Sequence, residues 1–468
     1  MSVSDTHKDY DKYIGKVNQV RDCVDGSQAV KTRKSGMAYL PMPNPSDQSE
    51  ENKERYEAYK TRANFVNFTA HTMEGMLGMV FRKEPEIDLQ TTIEYLEEDA
   101  TGGGLSLNQL AIDMTGDTFV AGKYGALVDY PQTDGNLTVA QIIALSLKAS
   151  ILPYPFESII NWRCSVINGV RKLSLVVLKE KVEAIADDGF SSEYVDQYRV
   201  LRLVDNIYTQ QLYDKDDNPL ADAFTPRKSN GSTWDIIPFM FVGSQNNDET
   251  TDKPVLYDIS EINLAHYRNS ADYEESCFMV GQPTAYITGL SNQWATDVLK
   301  EGVQLGSRSA VLLPVGADMG LVQASENQMP LKGMQEKELQ LIKIGARIIQ
   351  DSSGNETAEA AKIRFGGQNS KLAVIVSNVE SAINKCLSWA AEFMGGEGES
   401  SFVLNREFYD RSLDEQQVMA LISLSDRGDI SQNDVRDALR RASWISKEND
   451  EIDDENEQNG PILIDGEE

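Results

Sequence analysis

Apolar residues recur every three or four positions along one stretch: Tyr56, Tyr59, Ala63, Val66, Ala70, Met73, Leu77 and Val80 fall on one helical face. Ser49 followed by Glu50 and Glu51 suits the start of such a helix, and Pro85 follows its end. The spacing therefore predicts one long core-packing helix, preceded by a polar helix within 1–30 and a proline- and serine-bearing linker at 40–52. Ser106 with Gln109 forms a capping box, and Leu105 with Leu110 a hydrophobic staple, so another helix starts there. The period then shortens to a strand, GALVDY, and β signals dominate 150–243: ILPYPFESIINWR, KLSLVVLKEKV, QYRVLRLV and IIPFMFVG. Residues 1–250 read as one α+β body.

After Pro254 the character changes. Ile259, Ile262, His266, Tyr273, Cys277 and Val280 sit at helical spacing. Residues 282–328 hold two strand-like runs, TAYITGL and SAVLLPVG, around a short helical one, QWATDVLKEGVQLG. A second long helix is predicted at 329–350, with Leu331, Met334, Leu341, Gly345 and Ile348 on one face. The polar, glycine-punctuated stretch DSSGNETAEAAKIRFGGQNS (351–370) comes next, then a third apolar helix at 371–395 and a strand, SFVLNREF. Two capped helices close the pattern: Ser412 with Glu415, then Ser431 with Asp434, the latter flanked by Ile430 and Val435. The acidic tail from Lys447 is expected to be disordered, and no internal repeat is found.

With 468 residues, 40% hydrophobic and 25% charged, the chain suits two or three domains or one elongated subunit. No apolar run approaches the roughly 20 residues that span a bilayer. MSVSDTHKDYDKY lacks the apolar core of a secretory signal, so a cytoplasmic site of synthesis is expected. Cys23, Cys164, Cys277 and Cys386 never form a CxxC pair and are expected to be buried free thiols. The net charge is −30; 447–468 holds ten acidic residues and one lysine (−9), which leaves −21 elsewhere. Tight nucleic-acid binders gain affinity from basic surface that releases counterions. If this chain meets DNA, it repels or guides the duplex rather than gripping it.

Candidate chemistry is sparse. A phosphate-binding Walker loop needs Gly-x-x-x-x-Gly-Lys-Ser/Thr after a strand. The Gly122-Lys123 pair has Asp117 where the first glycine belongs and Tyr124 in place of Ser/Thr. GGG at 102–104 lacks the dinucleotide spacing, and GxSxG and HExxH are absent. Residues 214–225 imitate a calcium loop through Asp214, Asp216 and Asn218. Pro219 replaces its glycine and Thr225 its bidentate glutamate, so a hairpin turn is expected. Asp187-Asp188 suits a solvated turn, and His266, among apolar neighbours, reads as a packing or interface histidine. The 351–370 stretch follows a helix, not a strand. Gly354 and Gly366-Gly367 bracket a short turn with Glu356 and Glu359 near its start and Lys362 and Arg364 near its end, as a helix dipole favours. No nucleophile, base and oxyanion donors assemble. The expectation is a non-enzymatic structural or interaction protein with no cofactor and no metal.

Several stretches carry a family resemblance: RYEAYKTRANFVNFTAHTMEGMLGMVFRKEP (55–85), GKYGALVDYP (122–131), DISEINLAHYRNSADYEESCFMVGQPTAYITG (258–289), SSGNETAEAAKIRFGGQNSKLAVIVSNVE (352–380) and LISLSDRGDISQNDVRDAL (421–439). In these and in its order of elements the chain resembles the portal (head-to-tail connector) proteins of tailed double-stranded DNA bacteriophages, from roughly residue 10 to 445. The resemblance implies an α+β, portal-like subunit. It would comprise a wing (1–253), a first stem helix (254–281), a small α/β clip (282–328), a second stem helix (329–350) and a tunnel loop (351–366). A long wing/crown-side helix and mostly helical crown (367–446) would follow, then an acidic tail (447–468).

It further implies a ring, usually of about twelve subunits closed by a heterologous interface, at one capsid vertex of the virion, assembled in the host cytoplasm. The ring would serve as the channel for genome packaging and ejection. Its partners would be the terminase large subunit, major capsid and scaffolding proteins, head-tail adaptor or tail proteins, and double-stranded DNA passing without sequence specificity. Asn355, Lys362 and Arg364 are then channel candidates, and His266, Glu336, Lys337, Lys343 and Arg347 stem or interface candidates. The competing expectations are another phage structural component, such as a minor head or adaptor protein, and a metal-dependent DNA-processing enzyme built on clustered carboxylates.

Overall fold

A computed structural model describes residues 2–33, 39–131, 147–185, 190, 192–281, 284–298, 313–322, 327–344, 358–406, 408, 415–441, 445, 447, 449 and 451–453. Two compact units form: Met1–Gly78 with Pro85–Leu404, and Met79–Glu84 with Asn405–Glu468.

The centre of the first unit is a strand buried along almost its whole length. β2 (Lys123–Asp129) pairs antiparallel with β3 (Ser150–Pro155) on one side and β8 (Phe239–Gly243) on the other. A strand covered on both faces reads as a continuous apolar run, as GALV does here. Two helices pack on this sheet, α5 (Leu107–Ala121) and α9 (Ala358–Met394). Ser106 caps α5 by accepting the Gln109 N–H at 3.1 Å. The Gln109 side chain turns to Asp113 instead of back to the cap, so only half of the predicted box forms.

Beside this layer stands a four-stranded antiparallel meander of β4 (Ile159–Ile167), β5 (Val170–Ile185), β6 (Ser192–Val204) and β7 (Ile207–Asp214). Its tight turns are Asn168-Gly169 and Asp205-Asn206, all four residues at positive φ, which matches the twist of a two-residue hairpin. β7 was not among the expected strands, because IYTQQLYD alternates only weakly. An aromatic seam joins the two sheets: Trp162 lies 6.0 Å from Phe241, Phe239 5.1 Å from Phe241, and His7 stacks on Trp162 at 4.2 Å.

Beside the seam is a half-buried polar cluster. Arg199 on β6 donates to Glu180 on β5 (2.7 Å) and to Asp129 on β2 (3.0 Å). Tyr154 and Gln197 complete Glu180 at 2.6 and 3.0 Å, and the Tyr130 N–H and Gln210 donate to Asp129. Burial pushes the Asp129 carboxyl above the usual range, against the pull of Arg199.

α1 (Lys8–Asp25), followed by the short α2 (Ser27–Thr32), is pinned by Arg21, which donates to Asp117 on α5 at 2.5 Å and to Glu157 at 2.9 Å. The predicted long helix at 56–80 is two helices, α3 (Glu50–Arg62) and α4 (Phe68–Val80), separated by non-helical backbone at 63–67. Ser49 caps α3 as expected. A short antiparallel pair, β1 (Glu86–Asp88) with β11 (Ser401–Val403), is held against α9 by Asn384, which bonds both the N–H and the C=O of Phe402.

The second unit contains α10 (Glu415–Asp426) and α11 (Gln432–Arg441), packed on one another. Ser431 and Asp434 form the reciprocal capping box predicted for α11, at 2.9 and 3.1 Å. Ser412, and the tail beyond 453, lie outside the described residues. Cys23 and Cys386 are buried, whereas Cys164 is half-buried and Cys277 exposed, so the expectation of four buried thiols holds for two.

Candidate functional site: paired helices and the excursion between them

α6 (Tyr257–Gly281) carries an unusual stripe. Ser260, Asn263, His266 and Ser270 are buried alongside Ile259, Leu264, Tyr267 and Ala271. Buried polar groups need partners, and these supply the hydrogen bonds that the 63–67 break lacks. Asn263 accepts from the Thr69 N–H (3.1 Å) and hydroxyl (2.9 Å) and donates to the Val66 carbonyl (2.8 Å). Ser270 accepts from the Asn64 N–H at 3.0 Å. Further along, Tyr59 donates to Asp272 at 2.6 Å and Arg62 pairs with Glu275, so α3 runs beside α6. Burial pushes the Tyr267 phenol up to about 12.

α8 (Met329–Ile344) packs along α6. At Gly333 the helices pack tightly: an added Cβ would run into the Asn269 side chain. His266 sits in this seam, 1% exposed, edge-on to Phe68, with Nε2 3.2 Å from Glu338 Oε1 of α8. That geometry is a helix-to-helix tie. Glu336 accepts from Gln340 (3.3 Å), Lys337 donates to the Gly333 carbonyl (3.4 Å), and Lys343 is exposed in the last turn of α8. Arg347 and Asn355 lie outside the described residues.

Between the helices the chain makes a small antiparallel sheet, β9 (Thr284–Thr288) with β10 (Asp318–Val322), and a short helix, α7 (Asn292–Val298). The second strand is DMGLV, not the expected SAVLLPVG, whose described part, 313–316, is loop and turn. Gly320 in β10 lies under the Tyr286 ring, which leaves no room for a Cβ. Past α8, α9 begins at Ala358, well before the expected 371. Lys362 and Arg364 are therefore on its first turns, within a segment expected to be loop. Gly366 and Gly367 are passed through as helix within α9.

The other sequence features resolve into structure. Lys123 is fully buried, donates to the carbonyls of Asp248 (2.5 Å) and Thr250, and lies 4.9 Å from the centre of the Phe241 ring. Burial pushes its ammonium down to about 8. The calcium-like loop is a turn: Asp214 accepts from the N–H groups of Asp216 and Asn218, both at 2.8 Å, and so spends its oxygens on its own loop. Among the described residues no three His, Cys, Asp or Glu side chains group as a metal site would. The residues missed from sequence were Asn263, Ser270 and Asn269; Glu338 was among the charges read on the second stem helix, without its pairing to His266. For the first three the signal was small polar residues at helical spacing inside an apolar stripe.

Residues 255–394, which span α6 to α9, match the family described as Domain of unknown function (DUF4055). No curated protein matches. Among solved structures, the chain is similar to one in the neck of a native GTA particle computed with C12 symmetry, with 11% identity, 80% of this chain and 89% of that one covered, and a TM-score of 0.41. A chain of the virion of a native gene transfer agent particle gives 11% identity, 82% and 92% coverage and a TM-score of 0.42. One from the neck of an empty GTA particle computed with C6 symmetry gives 11%, 82%, 92% and 0.41.

Proposed function

We propose that the chain is the portal subunit of a phage-type particle. Copies close into a ring, of about twelve by the resemblance and heterologous by geometry. The ring is the conduit for DNA packaging and ejection and the platform on which terminase and head-tail adaptor dock. The observation that carries this reading is the order α6, small β9–β10 sheet, α8, α9, with α6 and α8 packed along one another and tied by His266 and Glu338. In this reading α6 and α8 are the stem, the 282–328 excursion is the clip, and 351–366, which includes the first turns of α9, is the tunnel loop. The overall charge of −30 suits a passage, since a densely basic bore would hold the duplex tightly and salt-sensitively.

Lys362 and Arg364, on the first turns of α9, are proposed to meet passing phosphates. Particles assembled with Lys362→Ala and Arg364→Ala together should form normally and package or retain measurably less DNA, scored by nuclease-protected genome per particle. Unchanged genome content in the double variant excludes contact through these side chains. Particles assembled without the chain should contain no protected genome, and full packaging in its absence would reject the conduit role.

A further inference from the structure

Lys123, the first residue of β2, buries a cation that is held by carbonyls rather than by an ion pair. The side chain is 0% exposed. Its ammonium donates to the main-chain carbonyls of Asp248 (2.5 Å) and Thr250 and lies over the Phe241 ring, 4.9 Å from its centre. A buried charge is costly unless its surroundings answer it. Here the answer is two carbonyl dipoles, the π face of Phe241 and the pull of nearby carboxylates: Asp248, Glu249 and Asp252 from one loop, and Asp9 from α1. Burial brings the ammonium down to about 8, so it is still charged at neutral pH.

Both carbonyls belong to the 244–253 loop, which has no helix or strand of its own and runs from β8 to the root of α6. Its surroundings are three packed elements. The Ser244 N–H donates to the carbonyl of Gly122, next to Lys123 itself, at 3.1 Å. Asn247 Nδ2 donates to the Asn378 carbonyl on α9, and Asn378 Nδ2 donates back to the Gly243 carbonyl, both at 2.8 Å. Just past the loop, the Val255 N–H reaches the Phe119 carbonyl of α5 at 3.1 Å. Converging carbonyl dipoles repel one another unless a positive centre sits between them, as in the carbonyl cages that hold potassium ions.

We infer that Lys123 is a built-in cation around which the 244–253 loop folds, and that the folded loop is the joint locking the root of α6 to β2 and α9. The inference stands apart from the ring reading. Its consequence is local: without the charge the joint opens, while the β4–β7 sheet persists.

Hydrogen exchange of the full chain, followed by mass spectrometry, tests it. Lys123→Met keeps the apolar stem and removes the charge. In it, peptides covering 244–260 should exchange about tenfold faster or more, the size of a lost charge-assisted hydrogen bond, and peptides from β4–β7 should match wild type. In Lys123→Ala, n-propylammonium, which replaces the missing atoms from Cγ outward, should restore protection of 244–260, and n-propanol should not. If Lys123→Ala does not fold, the methionine variant decides alone. Wild-type protection of 244–260 in Lys123→Met overturns the inference. So does equal rescue by propanol, which would mean that filling the cavity is enough, and so does rescue by neither probe. Protection lost throughout β4–β7 in Lys123→Met overturns it as well, because Lys123 would then be a general core residue and not the cation of one joint.

Discussion

Replacing Arg199 with methionine is expected to lower stability by about 3–5 kcal/mol, the usual cost of stranding a buried charge. The guanidinium lies between Glu180 and Asp129, each also held by neutral donors. Tyr154, Gln197 and Gln210 can hydrogen-bond those carboxylates but cannot neutralise them. Lysine is expected to recover only part of the loss, because one ammonium cannot copy the fork that reaches two acids on different strands. The variant should also respond to pH in a characteristic way. A stranded buried carboxylate has a folded pKa above its unfolded one, so the folded state binds the extra proton and stability rises as pH falls. The gap between wild type and Arg199→Met should therefore narrow from pH 7 to pH 5 in urea titrations. A midpoint at pH 7 equal to wild type would show that the cluster contributes nothing.

Gly122→Ala is the second large effect, with an expected loss of about 2–5 kcal/mol. Gly122 ends α5 with φ 74° and donates its N–H to the Thr118 carbonyl at 2.9 Å. A side chain in the left-handed region costs roughly 1–2 kcal/mol. A Cβ would also lie 2.7 Å from the Asp252 carbonyl oxygen and 2.9 Å from that of Lys253, and backbone there cannot swing aside. Overpacking of that kind adds roughly 1–3 kcal/mol. Gly231→Ala is the matched control: its φ is also positive, at 80°, but nothing lies within 4 Å of an added Cβ. It should pay only the conformational part. Equal losses in the two variants would show that the approach of the 244–253 loop does not matter.

How far the fold was legible in the sequence depends on where each restraint comes from. Strands that carry their own alternation, such as KLSLVVLKEKV and QYRVLRLV, fall in the predicted places as β5 and β6. So do the caps at Ser49, Ser106 and Ser431, because a cap is a local contact three residues long. The break between α3 and α4 was hidden: the apolar period runs through it, and the restraint that opens the helix comes from Asn263 and Ser270, about 200 residues away in sequence. β10 was missed for a similar reason, since Asp318 and Gly320 disguise a strand that exists because β9 pairs with it.

The candidate site divides in the same way. His266 was read as a packing or interface histidine; within one subunit it lies buried between α6 and α8. Its partner Glu338 was noted only as one of the charges of the second stem helix, because a pairing across 72 positions has no local mark. Lys362 and Arg364 were expected in a loop, but the glycine pair that suggested one is carried inside α9. A glycine weakens a helix by about 1 kcal/mol, which a helix of 37 residues packed against β2 and β8 absorbs.

The central claim, that this chain closes into a conduit, is tested most directly by imaging purified full-length protein by negative-stain electron microscopy and weighing it by native mass spectrometry. The predicted result is a closed ring of about twelve copies with an axial hole, whose averaged map accepts α6 and α8 as the stem wall. A monomer at every concentration and salt, or a ring whose bore is lined mainly by lysine and arginine, would contradict it.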